Sequence, residues 1–222
     1  MKKIISILVL LCTALLTVHA ERVIVGAEQT KQYLPLLKNK RVALLSNHTG
    51  IIIQTKSERR EAKNDTIHTL DWLLQHGVEV TAIFSPEHGF RGTAREGELV
   101  ASSVDEKTGI PILSLYDGKS KRPSKEAMQT FDVLITDIQD VGLRFYTYYV
   151  TMYRLMDVCA QEGKQFMVFD RPNPNGYYVD GPILDMKHKS GVGALPIPVV
   201  HGMTLGELAL MINGERWLSD SL

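Results

Sequence analysis

Cysteine is nearly absent from this 222-residue chain: Cys12 and Cys159 are the two. Removal of the N-terminal segment described below leaves only Cys159, and with it no intramolecular disulfide. The setting Met156-Asp157-Val158-Cys159-Ala160 reads as helix, where a lone cysteine serves as a small buried hydrophobe rather than a nucleophile. Net charge is also lacking, with 25 basic against 25 acidic residues. No basic stripe supports nucleic-acid binding, and there is no acidic tail. Internal repeats, low-complexity tracts and, beyond residue 20, membrane-spanning apolar runs are missing too. So are several catalytic signatures. There is no phosphate-binding P-loop, and Gly191-Val192-Gly193 is too short for a dinucleotide fingerprint. HExxH and CxxC do not occur, and the missing G-x-S-x-G elbow argues against serine hydrolase chemistry. The sequence implies no cofactor and no nucleic-acid partner.

What is present is the balance of a soluble globular protein, 44% hydrophobic and 23% charged, with length enough for a sizeable core. The first twenty residues stand apart. Lys2 and Lys3 precede a mostly apolar run from Ile4 to Val18, and Val18-His19-Ala20 ends in a small residue. That is the layout of a secretory signal peptide, and the run is short for a spanning helix. Residues 1–20 are therefore expected to be a cleaved signal, with residues 21–222 an exported, periplasmic or secreted domain.

Along the rest of the chain, apolar runs alternate with helical patterns. Strands are expected at Arg41–Ser46, Val78–Ser85, Ile110–Leu115, Asp132–Ile138 and Gln165–Asp170, with a very short sixth at Val199–Val200. Pro111 argues for an edge or strand-start position. Helices are expected at Asp65–Gln75, from a Ser124 cap to Thr130, at Tyr146–Gln161 and at Thr204–Ile212. Thr204 and Glu207 form a capping box, so Glu207 reads as structural. Ile51–Asn64 turns densely charged and reads as an exposed loop, and the stretch from Pro172 to Pro198 as a boundary or elaborated loop. Nearly continuous apolar strands alternating with helices point to an α/β, Rossmann-like three-layer domain with a mostly parallel sheet.

In such sheets ligands bind beyond the carboxyl ends of the strands. The exits there are Ser46-Asn47-His48-Thr49-Gly50, then Ser85-Pro86-Glu87-His88-Gly89, then Asp137-Ile138-Gln139-Asp140, then Asp170-Arg171-Pro172-Asn173, and finally His201-Gly202. Five polar exits on one sheet edge predict a convergent site. Glu87, after Pro86, reads as a positioned acid, though a plain surface carboxylate has the same sequence. His48 and His88 are equally compatible with structural roles. Asp137 follows a buried run and can cap a turn; Asp140 lies further out. Asp170 and Arg171 read as a local ion pair or, for Asp170, as a holder of a sugar hydroxyl. Arg91 and Arg144 can pair with these carboxylates or present a fork to an anion. Of Tyr146, Tyr148 and Tyr149, one face is expected in the core, leaving one or two rings to stack on a sugar. This inventory of carboxylates, histidines and arginines suits glycoside hydrolysis by a carboxyl pair. It also suits a metal-dependent hydrolase using His48, His88, Asp137 or His201.

The five exits, extended to Phe84–Gly92, Asp137–Tyr148 and His201–Thr204, resemble the motif series of the bacterial exo-β-N-acetylmuramidases (NamZ-type), from about residue 23 to the C-terminus. The resemblance implies a Rossmann-like N-terminal domain, a smaller C-terminal domain and a cleft between them. It implies a glycosidase of cell-wall turnover that releases N-acetylmuramic acid from the non-reducing ends of peptidoglycan fragments. Its members are longer, so most of the second domain is expected to be missing from a chain that stops at Leu222. By motif match Glu87 is the catalytic carboxylate, with Asp140 and His88 completing the catalytic set. Asn47, His48, Arg91, Asp137, Gln139, Arg144, Tyr146, Tyr148, Asp170, Arg171, Asn173 and His201 are the expected binding residues for muramyl saccharides. In the expected mechanism Glu87 protonates the glycosidic oxygen, and Asp140, or else Asp137, activates water or stabilises the oxocarbenium-like centre. Arg91, Arg144 or Arg171 pairs with the lactyl carboxylate of the sugar. A non-catalytic muramyl-sugar-binding module is the third reading.

Overall fold

The structure is a computed structural model that describes residues 22–54, 65–86, 89–90, 102–115, 122–220 and 222. The expected signal segment lies outside the described residues. Five strands form the parallel body of one sheet: β1 (Arg41–Ser46), β4 (Glu79–Ser85), β6 (Pro111–Ser114), β7 (Val133–Asp137) and β8 (Gln165–Val168). A two-residue strand, β5 (Ser103–Val104), runs antiparallel along the outer edge of β6, giving the order β5-β6-β4-β1-β7-β8. Pro111 is the first residue of its strand, where the missing N–H removes no interior ladder bond.

The strand sequences explain the layering. In β1, Val42 and Leu44 join one buried cluster while Ala43 and Leu45 join another, the period-two alternation of a strand covered on both faces. One face is closed by Tyr33 and Leu37 of α1 (Thr30–Leu37) and by Leu70 and Leu73 of α2 (Thr69–Gln75). The other is closed by Met128 of α3 (Lys125–Met128) and by Tyr148, Leu155, Val158 and Cys159 of α4 (Tyr148–Gln161). Helix α4 is buried on its far side as well. There Tyr149, Met152 and Met156 pack with Leu195 and Ile197 and with Leu208 and Ile212 of α5 (Leu205–Gly214). Cys159 is fully buried and its thiol is pushed up to about 12 by that burial, which leaves it unreactive.

Three expectations are corrected. Asp65–His68 is not the first turn of a helix. It is strand β3, paired antiparallel with β2 (Ile51–Gln54) in a separate hairpin. The β-branched Thr66 and Ile67 face Ile53 and Ile52 in register, and this pairing overrides a short helical spacing. The helix starts at Thr69, where the His68 ring caps it by accepting from the Leu70 amide. For the same reason the expected loop from Ile51 begins as a strand; residues 55–64 lie outside the described residues. The third correction concerns Val199–Val200, which add no sixth strand to the sheet. Val200 instead makes isolated antiparallel bridges to Leu143 and Asp180, and the long loop folds back on the Gly142–Arg144 segment that follows β7. Helix α1 was not legible at all: Pro35 sits inside it, and Tyr33 and Leu37 hold it by packing rather than by propensity.

Candidate active site

In chain order the parallel strands are arranged third, second, first, fourth, fifth, so the connection changes direction between β1 and β7. Ligands of open α/β sheets bind at that switch point, outside the carboxyl ends. Two of the polar exits start there, from adjacent strands whose last residues, Ser46 and Asp137, are paired. The loops then interlock. The Asn47 side-chain oxygen accepts from the Thr49 amide at 2.9 Å and from its hydroxyl, and the Gln139 amide donates to Thr49 Oγ1 at 3.0 Å. His68 Nε2 donates to the Asn47 carbonyl at 2.9 Å. Since the Leu70 amide occupies its other nitrogen, the tautomer is set by its partners. Sequence reasoning missed His68, because only the hairpin brings it beside the β1 exit.

Asp137 is fully buried, and its carboxylate is saturated. Arg171 donates Nε to Oδ1 at 2.6 Å and Nη2 to Oδ2 at 3.1 Å, and the Thr69 hydroxyl donates to Oδ2. Arg171 also donates to the Ile51 carbonyl at 3.0 Å, tying the β8 exit to the hairpin. The expected local Asp170–Arg171 pair is therefore replaced by a bidentate pair across strands. Asp170 turns the other way. Its carboxylate accepts from the Gly206 amide at 2.8 Å and the Thr204 hydroxyl at 2.6 Å, so it holds the N-terminus of α5, where negative charge is favoured. A Cβ on Gly206 would lie 2.7 Å from that carboxylate, so glycine is required for the approach.

Asp140 is the contrast. It is buried, and its Oδ2 accepts from the Gly142 amide at 3.0 Å, but Oδ1 has no partner. Burial raises its carboxyl to about 6. His201 stands next to it, with Nε2 3.9 Å from Asp140 Oδ2, buried and also without a partner. The Met203 amide donates to His201 Nδ1 at 3.3 Å, which leaves the proton of the neutral ring on Nε2, facing the carboxyl. Burial lowers the His201 pKa, so the neutral ring is favoured. Asn47 Nδ2 is a third buried polar atom without a partner. Unsatisfied buried groups cost roughly 1–3 kcal/mol each, and they concentrate here at the switch-point loops.

The remaining expected residues divide. His48 is exposed at the β1 exit. Tyr146 is exposed, edge-on to Tyr148 at 5.2 Å, but Tyr148 itself is buried in the core, which corrects its expected place on a sugar. Arg144 Nη1 donates to the carbonyls of Pro182 and Ile197, each at 2.7 Å, and so anchors the long loop. Asn173 donates to the Met203 carbonyl at 2.9 Å and accepts from the Asn175 amide. Gln139 Nε2 donates to the carbonyls of Asp140 and Pro172. These three position loops with the groups observed. Glu87, His88 and Arg91 lie outside the described residues. Their flanks are inside: Ser85 ends β4, and Pro86, Gly89 and Phe90 are buried. Among the described residues no group of three or more His, Cys, Asp or Glu is placed to hold a metal ion.

Comparison with known proteins gives three findings. Residues 42–222 match the profile of a family described as exo-beta-N-acetylmuramidase NamZ, N-terminal. A Bacillus subtilis (strain 168) protein named peptidoglycan beta-N-acetylmuramidase NamZ is 46% identical over 185 residues, covering 82% of this chain and 42% of the relative. Two crystal structures of DUF1343 family proteins from Bacteroides fragilis NCTC 9343 share the fold. One is 60% identical with a TM-score of 0.74, covering 90% of this chain and 49% of the other. The second is 38% identical with a TM-score of 0.76, covering 89% and 47%. The chain thus spans about half the length of the relatives it matches.

Proposed function

The chain belongs to the family of NamZ exo-β-N-acetylmuramidase N-terminal domains, and from that premise we propose that it supplies the catalytic carboxyl groups of an exo-acting glycosidase releasing N-acetylmuramic acid from the non-reducing ends of peptidoglycan fragments. The observation that carries this reading is the open Asp140–His201 pair. A buried carboxyl with an unpartnered oxygen lies at the sheet's switch point, in a chain similar to a named peptidoglycan β-N-acetylmuramidase. Two carboxyl groups with divergent pKa values are what glycoside hydrolysis requires.

In this mechanism Glu87 protonates the glycosidic oxygen as general acid, with His88 beside it in sequence. Asp140, ionised above about pH 6, activates water or stabilises the oxocarbenium-like centre, and the His201 Nε2–H supports its charge. Asn47 Nδ2 is a donor for a sugar oxygen, Tyr146 offers a ring face, and His48 lies at the rim. Arg144 and Arg171 are engaged with protein atoms, so Arg91 is the cation proposed for the lactyl carboxylate. Asp137 serves the site by holding Arg171 in place. A metal-dependent route is less well supported, because Asp137, one of its four ligand candidates, is saturated by Arg171 and Thr69.

The test is Glu87→Gln, made both in this chain and at the matching position of a full-length relative, and assayed on a chromogenic muramide. Loss of about 10²–10⁴ in turnover is expected for a general acid; near-wild-type turnover would sink the assignment. Calorimetry with muramyl fragments, run beside the assay, separates hydrolysis from binding alone, and thorough chelation should leave turnover intact. Export to the periplasm or medium belongs to the same proposal. It rests on Lys2, Lys3 and the apolar run ending at Ala20, and N-terminal sequencing of the mature protein is expected to begin at Glu21.

A further inference from the structure

One imidazole joins segments that are far apart in the chain and meet at the carboxyl edge of the sheet. His68 ends β3 and is the N-cap of α2. Its Nδ1 accepts from the Leu70 amide at 3.1 Å. Its Nε2–H donates to the Asn47 carbonyl at 2.9 Å, across 21 positions of sequence. The ring stands edge-on to the buried Phe90, with centroids 5.0 Å apart, a contact that fixes its plane.

Capping alone does not call for histidine. Ser, Thr, Asp and Asn are the preferred N-caps, and any of them would serve the Leu70 amide. What those shorter side chains lack is the reach from the helix end to the Asn47 carbonyl. The loop at that end is held from the same place a second time, because the Thr69 amide donates to the Gly50 carbonyl at 2.8 Å. Within the loop, Asn47 Oδ1 accepts from the Thr49 amide at 2.9 Å and from the Thr49 hydroxyl at 2.6 Å. With Oδ1 engaged in this way the side-chain amide has one orientation, and the group it turns away from the loop is Nδ2, which is buried and without a partner. A donor fixed before its ligand arrives needs no reorganisation when it acts.

We propose that His68 is a positioning residue: its Nε2–H clamps the backbone of Asn47 and so holds the Asn47 Nδ2 donor in place for a sugar oxygen. The inference rests on the reading of Asn47 as a substrate donor given above, and adds the residue that fixes it. His68 itself does not touch the sugar. It acts through the Asn47 carbonyl, and its second nitrogen makes the start of α2 the anchor for that clamp. The hairpin that carries it is tied in turn to the β8 exit, where Arg171 donates to the Ile51 carbonyl at 3.0 Å.

The two ring nitrogens can be replaced one at a time in the whole chain. An asparagine Oδ1 takes the place of Nδ1, and a glutamine Nε2 takes the place of the ring Nε2. Backbone amides report each bond separately, Leu70 the cap and Thr49 the Asn47 side chain. In His68→Asn, hydrogen exchange at Thr49 is expected to speed up about tenfold while Leu70 stays protected. Turnover of a chromogenic muramide should fall by up to about a hundredfold with KM little changed. His68→Gln should do the reverse, exposing Leu70 and lowering the melting temperature while restoring most of the turnover. A role confined to the helix end gives the opposite order, with turnover following stability, and that order overturns the proposal. Unchanged Thr49 exchange in His68→Asn overturns it too. A wild-type chain without turnover counts against the muramidase reading alone, because the Thr49 amide still decides the role of His68.

Discussion

Asp137 and Asp140 leave the same strand three residues apart, both buried at the switch point of the sheet, yet their surroundings are opposite. Asp137 has a bidentate guanidinium and a hydroxyl. Asp140 has only backbone amides, an unpartnered oxygen and a histidine whose unpartnered Nε2 lies 3.9 Å away. At the first, a counter-charge and a hydroxyl donor are buried together with the carboxylate and offset its desolvation. At the second, backbone amides offset desolvation only in part and the carboxyl rises to about 6. Identical side chains thus hold a framework in one place and wait for a ligand or a proton in the other.

The largest effect should come from removing one partner of the closed pair. Arg171→Met leaves Asp137 buried without its counter-charge, and a loss of about 3–5 kcal/mol is expected by chemical denaturation. Asp140→Asn keeps an acceptor for the Gly142 amide and removes a poorly solvated charge, so stability at pH 7 should not fall. If the two variants destabilise equally, the contrast between the two sites is wrong.

The next effect is in pH dependence. Because the folded carboxyl of Asp140 lies at about 6 against an ordinary 3.8, the folded state keeps a proton that the unfolded chain releases. Its contribution is fully present below about pH 4 and is lost as pH rises to about 6, by about 3 kcal/mol. His201 acts in the opposite sense. Its pKa is lowered from 6.5 by burial, so folding is favoured above that value and loses stability as pH falls. Melting curves across pH 4–7 should therefore lose their decline with rising pH in Asp140→Asn and lose their rise in His201→Gln. Unchanged profiles in both would place neither group in the low-dielectric site described.

The smallest effect belongs to the rim. Thr204 caps α5 and donates to Asp170, so Thr204→Ala should cost about 1 kcal/mol and leave the pH profile intact. A changed profile would mean that the helix end and the Asp140–His201 pair are coupled.

How much of this was legible beforehand differs by element. The five parallel strands were readable because strands covered on both faces must be apolar throughout, and the Ser124 and Thr204 caps because short-range hydrogen bonds need particular residues at particular spacings. The β2–β3 hairpin was not, since its partners are separated by the charged stretch that follows Gln54 and pair only in three dimensions. Nor were the different fates of Asp137, Asp140 and Asp170. Arg171 lies 34 positions from Asp137, and Thr204 34 from Asp170. Arg144, expected to face an anion, anchors two carbonyls of the long loop.

The sequence by itself determined the α/β class, the strands, the sheet edge where the polar loops gather and, through its motif series, the family. Local apolar periodicity, turn chemistry and residue order are enough for that. Only the tertiary structure decided which carboxylate is paired and which is open, and that His201 faces Asp140. Those outcomes depend on contacts between distant segments and on the desolvation they impose, and neither is encoded in a side chain's identity alone.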